Sequence, residues 1–276
     1  MRSCTFIGDL DDGERLARRA RFESVARAYD EVRPSYPAAL FDDLFASLEL
    51  EPGVRVLEIG AGTGIATREL LRRGLEVVAL EPGRDLIEVA RERSAGCDRV
   101  EFVPTAFEEW STDERFRAIV AAQSLHWVEP GHLNRLPGML RPEGAVAAMW
   151  NVHDPECPYR RLTQPAYRRI FGQSPTPSLD QMVDGLTRWL RVGGCFAGVE
   201  VRRHPWTTRY TTDQVLALIG TFSDHIALDP DQRRALHAGI RAELAKVGDS
   251  TEYWRVAVLA LACGARAAGP HRTPSD

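Results

Sequence analysis

The chain has 276 residues, 44% hydrophobic and 27% charged, with a formal net charge of −4. That composition suits a globular protein of one large domain, or a domain with additions, since single cores stop growing near roughly 250–300 residues. The mild acidity and the lack of a basic stripe exclude a general nucleic-acid binder, and five scattered cysteines without a C-x-x-C pair exclude a disulfide framework or a structural zinc site, as expected of a reduced, cytoplasmic protein.

The N-terminal residues lack the apolar run of a signal peptide. The longest apolar run, Val256 to Ala265, is well short of the roughly 20 residues that cross a bilayer. Residues 1–12 and 269–276 read as loose ends. From Glu14 to Val32, Phe22, Val25, Ala26, Tyr29 and Val32 recur at three- and four-residue steps, which predicts a helix. Arg33-Pro34-Ser35-Tyr36-Pro37 ends it, because each proline disfavours helical backbone in the residue before it. A second helix is predicted for about Ala38 to Leu48.

The pattern then changes. Val54 to Ile59 predicts a strand, glycines follow, and a helix runs from about Thr63 to Arg73 and stops at Gly74. Leu75 to Leu80 predicts a strand, Asp85 to about Ser94 a helix, and Val100 to Val103 and Phe116 to Ala122 two more strands. A helix near His132 to Leu140 precedes a strand from Ala145 to Trp150. Strands alternating with helices mean βαβ units and a parallel sheet, so residues 50–151 read as a doubly wound α/β core. Pro155, Pro158, Pro165, Pro175 and Pro177 cluster in 152–195, with short helical pieces such as Gln181 to Leu190 between them. That segment reads as an insertion. In 196–265, Val199 to Trp206 and Tyr253 to Ala262 predict closing strands, with helices near Thr212 to Phe222 and Pro230 to Val247 between.

The most informative segment is Val56-Leu57-Glu58-Ile59-Gly60-Ala61-Gly62-Thr63-Gly64. Glycines between a strand and a helix let the backbone turn sharply and approach a ligand closely, next to the unpaired N–H groups of the helix start. Glu81 ends the second strand, 21 residues beyond Gly60, where an acid accepts hydrogen bonds from ribose hydroxyls. These features predict a nucleoside cofactor site at the carboxyl ends of the strands. The spacing is G-x-G-x-G rather than the G-x-G-x-x-G of dinucleotide sites, and a carboxylate at Glu58 would repel a pyrophosphate but suit a cationic ligand.

Here the chain resembles the class I S-adenosylmethionine-dependent methyltransferases, whose first motif is an apolar strand, an acid and G-x-G-x-G. Phe22-Glu23-Ser24-Val25-Ala26-Arg27-Ala28-Tyr29-Asp30, with Arg33-Pro34-Ser35-Tyr36-Pro37, looks like the opening of a small-molecule subgroup related to trans-aconitate and type 11 enzymes. Thr105-Ala106-Phe107-Glu108-Glu109-Trp110 stands where the family contacts adenine, and Gln123-Ser124-Leu125-His126-Trp127 stands after the fourth strand. The resemblance covers about residues 20 to 151 well and the rest loosely. It departs at Ala106, where many members carry Asp, so the adenine contact is expected at the Phe107 backbone and Glu108.

The resemblance implies a Rossmann-like doubly wound seven-stranded sheet, with 14–48 as an N-terminal helical lid and 152–195 as an inserted cap. It implies S-adenosylmethionine as cofactor. Glu58 and the Gly60 carbonyl would face the methionyl ammonium, Ala61, Gly62 and Gly64 would allow close approach, Glu81 and Pro82 would border the ribose, and Gln123 would flank the site. Arg33 would pair with the methionyl carboxylate through its fork, and Tyr29 would close over it; a solvated helix-end arginine and a core-facing aromatic are the alternatives.

Methyl transfer from a sulfonium is an in-line displacement whose leaving thioether needs no proton, so positioning and desolvation contribute much. His126 is the candidate general base, with a packed or positioning histidine as the alternative. Tyr36, His126, Trp127 and Trp150 are expected on the substrate side. Tyr159, Tyr167 and Trp189, with Trp150, would line a pocket under the cap or pack as an ordinary cap core, and Arg160, Arg161, Arg168 and Arg169 would meet an anion or form a solvated face. Gln123 and Ser124 replace the carboxylates of metal-assisted enzymes, so no metal is expected. The acceptor is expected to be a small carboxylate, hydroxyl or amine, with no nucleic-acid or membrane partner and an open oligomeric state. Two rival readings stand: a protein that binds S-adenosylmethionine without transferring methyl, and an NAD-dependent oxidoreductase.

Overall fold

The computed structural model describes residues 13, 26–172, 177–191 and 196–264. Among them, β1 (Arg55–Ile59), β2 (Glu76–Leu80), β3 (Val100–Val103), β4 (Phe116–Ala122), β5 (Leu140–His153), β6 (Phe196–Thr211) and β7 (Ser250–Gly264) form one sheet. Its order is β3-β2-β1-β4-β5-β7-β6. The first five strands run parallel, and β7 pairs antiparallel with both β5 and β6. Strand order reverses between β1 and β4, so the crevice at their carboxyl ends is the natural ligand position of such a sheet.

Two apolar cores cover the two faces. Leu57, Ile59, Val78, Leu80, Ile119 and Ala121 point to one. Val56, Val77, Ala79, Ala118 and Val120 point to the other. Alternate residues of the same strands are thus buried on opposite faces, which is why these strands read as continuous apolar runs. The helices flanking them are α1 (Ala26–Val32), α2 (Ala38–Leu48), α3 (Ile65–Arg72) and α4 (Arg84–Arg93). Asp30 of α1 is almost fully buried between Arg68 of α3 (2.9 Å) and Arg93 of α4 (2.7 Å), so an ion-pair clasp docks α1 on the two helices.

A third core joins α5 (Pro158–Phe171), α7 (Thr212–Gly220) and α9 (Pro230–Leu244) to Tyr210 and Tyr253 of the β6–β7 ribbon. The remaining helices are α6 (Leu179–Arg191) and the short α8 (Ser223–Ile226). A capping box at Thr211 starts α7, and the Asp229 carboxylate caps α9.

Several predicted elements differ in extent. The part of the first helix before Ala26 lies outside the described residues, apart from residue 13, as do the proposed loose ends at 1–12 and 269–276. The helix predicted near His132 is a 3-10 segment over Pro130–Met139, and Leu140 already belongs to β5. Pro137 inside that segment has no N–H to donate to an α-helical ladder. Pro158 starts α5 in the position where its missing N–H costs least, but the helix continues through Pro165. Packing against α9 holds it: Ala166 is buried, and a Cβ on Gly239 would lie 3.0 Å from that of Ala166. β5, β6 and β7 are all longer than predicted, because His153 pairs with Arg255 and Thr211 with Ser250 well beyond the apolar runs.

Candidate functional site

The turn after β1 carries three glycines at positive φ: Gly60 (70°), Gly62 (59°) and Gly64 (80°). Each serves a different contact. A Cβ on Gly60 would come within 2.6 Å of the Ser124 Cβ, so the turn packs directly on the segment after β4. The Ser124 hydroxyl donates to the Ile59 carbonyl across the same seam. Nothing lies within 4 Å of a Cβ on Gly62, which borders open cavity. Gly64 does not line the cavity, contrary to its expected place beside a ligand. Its close neighbour is Ala90 of α4, whose Cβ would be 3.2 Å away.

Glu58 is fully buried beneath this turn and still lines the cavity. One carboxylate oxygen accepts a 2.6 Å hydrogen bond from the Thr67 hydroxyl; the other, Oε1, is buried without a partner. Burial, with a lesser push from Glu81, lifts its pKa to about 7, against the pull of Thr67 and Arg68. Glu81 bridges the turn: its two oxygens accept from the Gly62 and Gly83 N–H groups, each at 2.8 Å. Ala61 and Pro82 also line the cavity. An orphaned acceptor beneath a turn with an open backbone face therefore fits a cationic ligand with hydroxyl groups nearby.

Ala106, Phe107 and Glu108 line the cavity on one side, and Gln123, His126 and Trp127 on another. Arg135 occupies the carbonyls of Phe107 (3.2 Å), Glu108 (3.3 Å) and Trp110, which fixes this loop. Gln123 has an unusual positive φ of 56° and donates to the Asn151 carbonyl at 3.4 Å.

His126 and Trp150 depart from expectation together. Trp150 is buried in the core and does not line the cavity, because its β5 neighbours enclose it. Its indole N–H donates to Nδ1 of His126 at 3.2 Å. The proton of the neutral His126 ring is then on Nε2, which makes the side chain a donor with no free lone pair. Burial lowers its pKa to about 3. His126 is thus not built as a general base. Trp127 packs against it with the rings tilted by 49° and their centres 4.8 Å apart.

Tyr29, Arg33 and Tyr36 line the cavity from the α1 side, with Tyr36 seated edge-on against Phe41. Arg33 does not present a free fork to a ligand carboxylate. Nε donates to the Thr221 hydroxyl (2.8 Å), one Nη donates to the Thr221 carbonyl (3.0 Å), and the guanidinium lies between the Tyr29 and Phe222 rings, 4.7 Å from each.

The cavity measures about 1870 Å³ and continues past the glycine turn between α5, α6 and the 218–232 segment. Tyr159, Arg160, Arg161, Tyr167 and Arg168 line it as expected; Trp189 and Arg169 do not. Sequence reasoning missed His225, Tyr253 and Arg255 as lining residues, and His153, which follows the fifth predicted strand, lines the cavity as well. Tyr253 and Arg255 sit in a run read as an ordinary strand, and His225 had no partner pattern. His153 and His225 are held neutral chiefly by burial, His225 with a pKa of about 4. Among the described residues, no three His, Cys, Asp or Glu side chains gather as around a metal ion, and no helix is long and apolar enough to cross a membrane.

Residues 56–144 match the sequence profile of a methyltransferase-domain family. The chain is 30% identical over 203 residues to an uncharacterized methyltransferase of Mycobacterium tuberculosis, covering 73% of this chain and 76% of that protein. It is 30% identical over 214 residues to a demethylmenaquinone methyltransferase of Clavibacter sepedonicus, covering 66% and 83%. Among solved structures it superposes on a candidate type II methyltransferase from Anaeromyxobacter dehalogenans with a TM-score of 0.60 and 22% identity, over 83% of this chain and 97% of that one. A Haemonchus contortus phosphoethanolamine N-methyltransferase, solved with phosphomonomethylethanolamine and S-adenosylhomocysteine, superposes with a TM-score of 0.51 and 17% identity, over 92% and 60%.

Proposed function

Because the chain belongs to the class I S-adenosylmethionine-dependent methyltransferases, we propose that it methylates a small-molecule acceptor, by in-line displacement, in the compartment between α5, α6 and the 218–232 segment. The observation that carries this reading is the cavity itself. At about 1870 Å³ it exceeds the ~300–1,000 Å³ of a single-ligand pocket, and it runs from the glycine turn into a second, aromatic-walled space.

When bound, S-adenosylmethionine supplies a methyl group activated on a sulfonium. Glu58 Oε1 and the Gly60 carbonyl receive its ammonium, the Gly62 backbone admits close approach, and Glu81 accepts from ribose hydroxyls. Phe107, Glu108 and Pro82 border the base and ribose, and Tyr29 covers the site. His126 offers its Nε2 proton as a fixed donor that orients the acceptor, with Trp127 beside it. A thioether leaving group takes no proton, so such an arrangement works by positioning and by exclusion of water. α1 and α2 serve as the lid and the 152–195 segment as the cap. Free thiols at Cys97, Cys157 and Cys263 suit a reducing, cytoplasmic setting.

Calorimetric titration with S-adenosylhomocysteine and with NADH tests the reading. Binding of the first and not the second is expected, since a pyrophosphate would approach the Glu58 carboxylate. Tight NADH binding would overturn it. Formation of S-adenosylhomocysteine from S-adenosylmethionine across a panel of small acceptors separates a transferase from a protein that only binds the cofactor.

A further inference from the structure

Charge along the cavity wall is divided. Glu58, Glu81 and Glu108 stand at the glycine-turn end, where the cofactor is cationic. Arg160 and Arg255 stand at the other, with Arg161, Arg168 and the acids Glu156 and Asp224. Arg255 is the most unusual of these, at 2% exposure. Its guanidinium donates to the Thr208 hydroxyl (3.3 Å) and the Tyr210 hydroxyl (3.2 Å) and lies 4.3 Å from the centre of the Tyr253 ring. It pairs with no carboxylate among the described residues. Burying a cation without a counter-charge is costly, and aromatic faces offset only part of that cost.

Arg160 stands in the first turn of α5, half-buried, with no ion pair to a described residue. Arg255 pairs across the sheet with His153 and lies on Tyr253, whose ring is 5.2 Å from that of His153 and 4.7 Å from that of Tyr159, the residue before Arg160, and both arginines line the same cavity. His153 lies there neutral, with Nδ1 buried and unpartnered. The acids nearby are engaged: Glu156 with Arg161, and Asp224 with the His225 backbone N–H. Beyond the arginines the wall turns apolar, through Phe171, Met182, Leu186, Leu218, Phe222 and Leu228.

We propose that the methyl acceptor is an amphipathic anion: a carboxylate or phosphate head held at Arg160 and Arg255, with an apolar body lying against α6 and α7. Guanidinium forks match both anions geometrically, and an entering anion supplies the counter-charge that Arg255 lacks. The proposal rests on the methyltransferase reading of the cavity, but it concerns only the compartment away from the glycine turn.

The test uses the full chain saturated with S-adenosylhomocysteine, titrated calorimetrically with 3-phenylpropanoate, 2-phenylethyl phosphate and the uncharged 3-phenylpropanamide. At least one anion is expected to bind about tenfold or more tighter than the amide, and the better of the two distinguishes a carboxylate from a phosphate acceptor. Arg160→Gln is expected to abolish most of that preference while S-adenosylhomocysteine affinity stays within about twofold, and Arg255→Lys to reduce it. Should Arg255→Lys not fold, Arg160→Gln decides alone. Equal affinity for anion and amide, no binding of either anion, or a preference that survives Arg160→Gln overturns the proposal. Failure of S-adenosylhomocysteine to bind the wild type strikes the methyltransferase reading instead.

Discussion

Glu58 holds a carboxylate where the ligand-free fold would rather have a neutral acid. An unfolded glutamate ionises near 4.5, the folded one near 7. The folded state therefore binds the proton more tightly, and the stability tied to it falls as pH rises from 4.5 and levels off above 7. Glu58→Gln removes this dependence. Its stability relative to wild type is expected to improve by roughly 1 kcal/mol between pH 6 and pH 8 in urea titrations. A bound ammonium favours the ionised form, so wild-type affinity for S-adenosylhomocysteine should rise up to about tenfold over the same interval, and that rise should be absent from Glu58→Gln. At His126 the lock is the Trp150 indole N–H. A neutral ring with a pKa of about 3 contributes no limb to kcat/KM between about pH 5.5 and 8. His126→Gln keeps a donor and should retain transfer to within about tenfold, whereas His126→Ala should lose roughly tenfold more. A wild-type acid limb that disappears in His126→Gln would restore a base role. The candidate base was legible from its place after the fourth strand. The tautomer was not, because it depends on a tryptophan 24 residues away.

The element proposed to hold the cofactor is the strand–turn–helix from Arg55 to Arg72. Gly60→Ala meets both a positive φ and the Ser124 Cβ at 2.6 Å. It should cost roughly 2–4 kcal/mol of stability, combining left-handed strain with overpacking. Gly62→Ala meets only the positive φ, so about 1 kcal/mol is expected. Its methyl enters the cavity, so Gly62→Ala should weaken S-adenosylhomocysteine in calorimetry more than its small stability loss suggests. Equal stability losses in the two variants would contradict the packing described for Gly60. This element was legible in outline, since apolar alternation, glycine spacing and a helix stop are local signals, but the packing of Gly64 on Ala90 rather than on a ligand was not. α5 was not. Its Pro165 argues for a break locally, and only the packing of Ala166 on Gly239 of α9 keeps the helix whole. Arg33 shows the same limit, since Thr221, which takes its fork, lies 188 residues away.

For the whole molecule, ligand linkage gives the simplest check. S-adenosylhomocysteine at 100 times its Kd should add about 2.7 kcal/mol to stability, raising Tm by roughly 5–10 °C in a scanning fluorescence melt, while NADH leaves it unchanged. Arginine supplies 34 of the 35 basic side chains, Lys246 being the other. Sequence singled out Arg33 in a motif and named Arg160 among four arginines that would meet an anion or a solvated face, whereas the fold adds Arg255 to the cavity lining beside Arg160 and ties Arg33 to Thr221. Taken alone, the sequence determined the α/β class, the parallel strands, the glycine turn and the acids beside it. These rest on backbone conformational limits and on side-chain periods that operate within a few residues. Only the tertiary structure decided which side chains meet in the second compartment, which proton His126 carries and where Trp150 points. Burial and pairing are set by residues far apart in the chain, and no local period encodes them.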